Sequence, residues 1–243
     1  MFLLSNKVRV GDSGLLEGFC DYHCHLLPGV DDGVRTIGET KEILQLWQTM
    51  GVKEVWLTPH VMEDYPNTPA DLQEVFQQHF PSLHSPLTLH LAAEHMMDGL
   101  FLQRLEEGSL LTLPPLSAHD EGDVHRPSLL LVETSYYIPP MNMGEVIGRI
   151  KEKGYQPLLA HPERYQYMTT ADYGKWKQQG VMLQLNVPSL VGAYGPEVQH
   201  RAEWMLSHDM YDCMGTDTHS MNQASCFVQS LISKKVVKKL LKI

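Results

Sequence analysis

Short apolar runs with the two-residue period of a strand alternate along this chain with longer stretches in which apolar residues recur every three to four positions, the period of a helix. The first strand runs up to His23. Thr36-Ile37-Gly38-Glu39 then has the spacing of a capping box, Ile43, Leu44, Trp47 and Met50 follow at helical spacing, and Gly51 stands where a helix stops. Further strands are expected over 54–58, 87–93, 129–132, 157–160, 181–185 and 211–214. Helices are expected from Thr68-Pro69, with proline at the first helical position, and over 97–107, 144–153, 170–179 and 196–207. Seven strands separated by helices predict parallel β/α units in one α/β domain spanning 1–243. A parallel barrel of this length carries its active site at the carboxyl ends of its strands.

Three segments fall outside the alternation. Residues 1–18 form an extension before the first strand. Residues 114–128 carry three prolines and His119, Asp120, Glu121, Asp123 and His125, and read as a solvated surface loop. Residues 234–242 form a basic helix or tail whose ordinary reading is a solvated face.

Composition narrows the class. Of the 243 residues, 43% are hydrophobic, enough for a sizeable core, and the formal net charge is −10, which argues against a nucleic-acid partner. A phosphorylated substrate remains compatible, because bound cations reverse the local field. The four cysteines, Cys20, Cys24, Cys213 and Cys226, form no CxxC pair and suggest a reducing, cytoplasmic compartment. No apolar run reaches the length of a signal-peptide core or a membrane span.

The candidate chemistry lies at the strand ends. In Asp21-Tyr22-His23-Cys24-His25, strand alternation turns His23 and His25 to one side, with Asp21 behind them as an orienting partner and Cys24 on the opposite face. The turn Pro28-Gly29-Val30-Asp31-Asp32-Gly33 can swing a carboxylate back toward that pair. His60, Glu94, Glu133, His161, Asp217 and His219 each follow a strand, and a carboxylate at the end of a buried strand is costly unless paired or metal-bound. Taken singly, each has a plainer reading as a cap, a turn or a surface residue. Together, His23, His25, Asp32, His60, Glu94, Glu133, His161, Asp217 and His219 make nine ligands from six strand ends. One ion takes about four to six ligands, so nine suit two or three divalent ions. Mixed nitrogen and oxygen donors favour manganese, iron or zinc. Clustered divalent ions suit phosphate ester hydrolysis, in which they lower the pKa of a bound water and clamp the phosphoryl oxygens. Arg164, three residues after His161, is the best candidate to fork onto the remaining oxygens. The proton for the leaving group can come from a bound water, Asp217, His219 or Glu163.

The segment from Asp21 to Gly33 resembles the opening motif of the PHP (polymerase and histidinol phosphatase) superfamily, and most closely its bacterial capsule and exopolysaccharide tyrosine-protein phosphatases. Thr58-Pro59-His60, Ala93-Glu94, Val132-Glu133, His161-Pro162-Glu163-Arg164-Tyr165, Leu183-Gln184-Leu185-Asn186 with Ser189-Leu190, and Gly215-Thr216-Asp217-Thr218-His219 continue the likeness in order. The resemblance implies a distorted (β/α)7 TIM-like barrel, the PHP fold, with a trinuclear manganese-type site. It implies hydrolysis of phosphotyrosine on the autokinase that regulates polysaccharide export, the metal ligands being the nine above and the phosphate-contacting arginine Arg164. Relatives often carry another arginine a few residues after the final histidine, whereas Ser220–Ser225 contains none.

Other readings account for less of this pattern. A cysteine-based phosphatase needs arginine six residues after its cysteine, and Leu26, Val30, His219 and Ile232 stand at those positions. A small-molecule phosphatase, such as one for histidinol phosphate, shares the metal chemistry and differs at the rim. A non-catalytic metal-binding regulatory module of the same fold is the non-enzymatic alternative.

Overall fold

The protein is described by a computed structural model covering residues 6–81, 83, 85–108, 110–116 and 126–243. In chain order the elements are β1 (Lys7–Arg9), β2 (Cys20–Cys24), α1 (Ile37–Thr49), β3 (Glu54–Leu57), β4 (His60–Val61), α2 (Pro69–His79), β5 (Thr88–Leu91), β6 (Glu94–Met96) and α3 (Phe101–Glu107). They continue with β7 (Leu129–Glu133), α4 (Met143–Glu152), β8 (Gln156–Leu159), α5 (Thr170–Gln178), β9 (Met182–Asn186), α6 (Pro196–Ser207), β10 (Cys213–Gly215), α7 (Met221–Gln229), β11 (Leu231–Ser233) and α8 (Lys234–Leu240).

Local chemistry explains most of the boundaries. The Thr36 side chain accepts the Glu39 backbone N–H, but the Glu39 carboxylate returns to Arg35 N–H, so only half of the expected capping box forms. Full reciprocal boxes form at Thr68/Asp71 and Thr169/Asp172. The expected strands 54–58 and 87–93 each continue past the site residue after a short break. Pro59, which has no N–H to give a ladder, interrupts the first, and Ala92-Ala93 the second. The helix expected over 97–107 begins only at Phe101. Helix α7 and the antiparallel pair β1–β11 had no signal in the periodicity.

The strands form a curled parallel six-stranded sheet, in the order β10-β9-β8-β7-β6-β4, and a parallel three-stranded sheet, β2-β3-β5. At one side the chain runs directly from β3 into β4 and from β5 into β6, with Ala92 N–H donating to Leu57 O and Glu94 N–H to Pro59 O. At the other, Cys24 bridges Thr218 in parallel, His25 N–H donates to Thr218 O at 2.9 Å, and Asp217 N–H to His23 O at 2.7 Å.

Alternation along the strands sorts the core into two clusters. Leu129, Leu131, Leu158, Ala160 and Cys213 gather with Tyr22, Trp56 and Met182 on the concave side. Leu130, Val132, Leu159, Leu183 and Leu185 face outward into the larger cluster shared with the helices. Leu113 and Leu116, just before the polar stretch, pack into the concave cluster, and Leu113 bridges Leu129. The five ionisable side chains of that stretch, within 117–125, lie outside the described residues. No helix among the described residues is long and apolar enough to cross a membrane.

Candidate metal centre

At the carboxyl ends of the parallel strands the apolar layer gives way to charge. All nine candidate ligands meet there, in four overlapping groups whose ligand atoms lie within 4.8 Å of one another. His25, Asp32, His60 and His219 form one group; His23, His25 and Glu94 a second; His23, His161 and Asp217 a third; and His60, Glu94 and Glu133 a fourth.

The backbone is shaped to bring them together. A register shift between Asp21 and Cys24 breaks the alternation of β2. Tyr22 joins the concave cluster, Cys24 two residues on falls in the outer one, and His23 and His25 both reach the site. This bulge corrects the expectation for Asp21. Its buried carboxylate accepts Thr216 N–H at 2.8 Å and Thr216 Oγ1–H at 2.6 Å, fastening β2 to the segment after β10, and it does not orient a histidine ring. Cys24 does face away from the site, its Sγ 3.4 Å from Trp56 O. Two glycines allow close approach. A Cβ on Gly215 would lie 2.4 Å from His23 Cβ, and one on Gly33 would lie 2.2 Å from His25 O. His161 (φ 33°) and Asp217 (φ 52°) hold left-handed backbone conformations uncommon outside glycine, a form of strain that clusters at functional sites.

The outer nitrogens of three imidazoles are occupied. His23 Nδ1 lies 2.7 Å from Gln184 Oε1, His25 Nδ1 2.8 Å from Asp31 Oδ2, and His219 Nδ1 2.9 Å from Asp217 O. All three partners are acceptors, which places the proton on Nδ1 and turns the Nε2 lone pair inward, as a metal-binding histidine requires. The Nε2 atoms of His23 and His25 consequently face each other at 3.2 Å. Glu94 Oε2 sits 3.2 Å from His23 Nε2 and 3.2 Å from His60 Nδ1, yet neither it nor Glu133 Oε1, both fully buried, has a hydrogen-bond partner. Inward lone pairs beside orphaned carboxylate oxygens are the environment that divalent cations satisfy, so this donor set fits such ions.

Burial opposes charge throughout the cluster, and the neighbours outweigh it. Burial lowers the His23 pKa, but Glu94 and Asp217 lift it to about 9. Burial raises the Glu94 and Asp217 carboxyls, but the adjacent imidazoles hold both well below the usual carboxylate range.

Arg164 closes one side of the site. Its Nη1 donates to Asp217 Oδ2 at 2.5 Å, and its Cζ lies 4.4 Å from the ring centroid of Tyr136 and 4.3 Å from that of Tyr194, so the guanidinium touches both rings. Asn186 Nδ2 donates to Tyr194 Oη at 3.0 Å and to Asp217 Oδ2 at 3.1 Å. Above these residues opens a cleft of about 320 Å³, lined also by Asp32, His219 and Gln223. Gln223 Oε1 accepts His219 N–H at 2.7 Å. Glu163, although adjacent in sequence, is fully buried and accepts Asn186 N–H, Ser189 Oγ–H and Tyr211 Oη–H, so it serves the scaffold. Asp217 is held ionised, Glu163 is buried in the scaffold, and both His219 nitrogens face partners within the cluster, so of the four groups that could protonate a leaving group only water is not already engaged there.

Sequence reasoning missed Asp31, Gln184, Tyr136 and Tyr194. Of the adjacent aspartates, Asp31 orients His25 while the half-exposed Asp32 reaches 3.5 Å from His60 Nε2 and from His219 Nε2. Gln184 had a usable signal, a polar residue in the middle of an apolar strand.

A family model described as "Capsular polysaccharide synthesis, CpsB/CapC" matches residues 19–242. The tyrosine-protein phosphatase YwqE of Bacillus subtilis (strain 168) is 23% identical over 218 residues, covering 87% of this chain and 82% of that protein. The tyrosine-protein phosphatase CpsB of Streptococcus pneumoniae is 23% identical over 227 residues, covering 88% and 90%. A crystal structure from work on YwqE and CpsB, described there as unique metal-dependent tyrosine phosphatases, superposes with a TM-score of 0.75 at 23% identity, over 92% of this chain and 86% of that one. This likeness establishes a common mixed α/β fold.

Proposed function

The chain belongs to the capsular polysaccharide synthesis CpsB/CapC family, and from that premise we propose that it is a metal-dependent tyrosine-protein phosphatase. The observation that carries the reading is the set of inward-facing ligand atoms directly beside Arg164 in one cleft. We read the two sheets, with their hydrogen bonds at both sides, as one distorted (β/α)7 barrel whose mouth is this cleft, and residues 1–243 as a single phosphoesterase domain. We assign His23, His25, Asp32, His60, Glu94, Glu133, His161, Asp217 and His219 as ligands of two or three divalent ions, with Mn2+ preferred over iron or zinc.

Ions held by these nine residues would supply a water of lowered pKa as nucleophile and would neutralise phosphoryl charge. The protein's own residues do the rest. Gln184 and Asp31 hold the His23 and His25 rings in the ligating tautomer. The fork of Arg164 offers more donors than Asp217 uses, and we assign the remainder to the phosphoryl oxygens. Tyr136 and Tyr194 keep that guanidinium at the cleft wall. His219 stays a ligand, its Nδ1–H held by Asp217 O, and we assign the proton for the leaving phenolate to water. The proposed substrate is phosphotyrosine on a bacterial tyrosine autokinase that controls capsule or exopolysaccharide synthesis, and the proposed compartment is the cytoplasm.

Comparing a phosphotyrosyl peptide with histidinol phosphate, each with Mn2+-loaded protein, tests the assignment. Preferential release of phosphate from the peptide supports it. Faster turnover of histidinol phosphate would make the protein a small-molecule phosphatase, and metal binding without turnover of either would make it a regulatory module.

A further inference from the structure

The chain leaves the cleft wall through an unusual segment. Tyr136, whose ring lies against Arg164, is followed by Tyr137-Ile138-Pro139-Pro140-Met141. Tyr137 is 68% exposed, Ile138 70% and Met141 91%. Large apolar side chains this exposed, on one short stretch beside a cleft, are costly to solubility and mark interaction surfaces. Leu102, also exposed, and Met141 line a neighbouring groove of about 410 Å³.

The segment is held at both ends. Tyr136 O accepts Gln166 N–H at 2.7 Å, tying it to the loop that carries His161 and Arg164. Asn142, with φ 57°, accepts the Glu145 and Val146 N–H groups in the first turn of α4 at its carbonyl. Two consecutive prolines restrict the backbone between these anchors. A surface ordered in advance loses less entropy when a ligand covers it.

We propose that this rim binds apolar residues flanking the phosphotyrosine of a polypeptide substrate, and so determines specificity. The inference rests on the phosphatase reading and extends it to the substrate's sequence. Ile138 is two residues from Tyr136, at most about 7.6 Å of chain. An extended peptide advances about 3.3 Å per residue. We take the residues one to three positions from a phosphotyrosine held at Arg164, within about 10 Å of it, to reach Tyr137 and Ile138, with Met141 and its groove further along the same rim. A small aryl phosphate fills the cleft and never reaches them.

The test uses the Mn2+-loaded full chain and three substrates: p-nitrophenyl phosphate, a phosphotyrosyl peptide with leucine and isoleucine on both sides of the phosphotyrosine, and the same peptide with serine there. Wild-type protein is expected to prefer the apolar peptide by about tenfold in kcat/KM, expressed in KM. The variant I138S/M141S is expected to lose that preference and to hydrolyse p-nitrophenyl phosphate at the wild-type rate, which also shows that it is folded. Equal kcat/KM for the two peptides with wild-type protein, or an unchanged preference in the variant, overturns the proposal. So does a change in association state on sedimentation of the variant, which would make a second copy of the chain the occupant. Absence of hydrolysis of all three substrates by metal-loaded wild-type protein would instead overturn the phosphatase reading itself.

Discussion

Replacing Gln184 by leucine tests how the protein prepares His23 for metal. Gln184 is buried, and its Oε1 is the acceptor 2.7 Å from His23 Nδ1. Its amide makes only long contacts, 3.4 Å to Tyr22 O and 3.9 Å to Cys213 Sγ. Leucine fills nearly the same volume between the concave cluster and the site, so little packing is lost. The substitution leaves the His23 Nδ1–H buried without an acceptor, at a cost of about 1–3 kcal/mol. The ring can escape that cost by moving its proton to Nε2, the atom that faces the other ligands. Loss of an orienting partner of this kind weakens metal affinity by about 10–100-fold, or roughly 1.4–2.7 kcal/mol. Mn2+ titration by calorimetry, on protein first stripped with chelator, reads this directly. Gln184→Glu keeps an acceptor at the same position and should bind far closer to wild type. If Gln184→Leu binds Mn2+ within twofold of wild type, the tautomer argument for His23 is wrong.

Arg164→Ala should leave metal content unchanged and raise KM for an aryl phosphate by about 10–100-fold, since a charge-assisted fork is lost; loss of metal on elemental analysis would give Arg164 a structural role through Asp217. Gly215→Ala should abolish activity, because its Cβ would sit 2.4 Å from His23 Cβ and β2 must move away; wild-type kcat would show that the strands part without disturbing His23. Mn2+ affinity should rise with pH, because an imidazole must lose its proton to ligate and His23 in the metal-free protein holds its proton up to about pH 9. The same raised pKa gives the metal-free protein stability that is full below the unfolded-state value of about 6.5 and lost as pH rises through 9. The Tm of metal-free protein should fall across that window while the stabilisation added by Mn2+ grows; a Tm gap between the two forms that narrows with pH would contradict both statements.

Much of the fold and of the candidate site was legible because every candidate ligand except Asp32 stands at or just after the end of an apolar run. Strand periodicity located the carboxyl ends, and the side chains there are histidines and carboxylates that an apolar run does not otherwise carry. What stayed hidden depended on contacts distant in sequence. Gln184 meets His23 across 161 positions, and Thr216 takes Asp21 across 195. The β2 bulge, and the turn of the Asp21 carboxylate toward Thr216 and the His23 backbone N–H and not toward an imidazole, leave no mark in a five-residue motif. Asp31 and Asp32 are adjacent in one turn, and only the path of that turn decides which orients a ring and which reaches the mouth. The pair β1–β11 joins three-residue strands from opposite ends of the chain, too short to show a period. Helix α7 has no charged residue and only Ala224 and Phe227 buried, so its apolar stripe is too thin to read.

The central claim is that these nine side chains hold the ions that hydrolyse phosphotyrosine. Elemental analysis of the purified protein, coupled to phosphate release from a phosphotyrosyl peptide before and after chelator treatment, tests it most directly. Two or three divalent ions per chain are expected, with activity that disappears with them and returns with Mn2+. Full turnover by protein verified to be free of metal would contradict it.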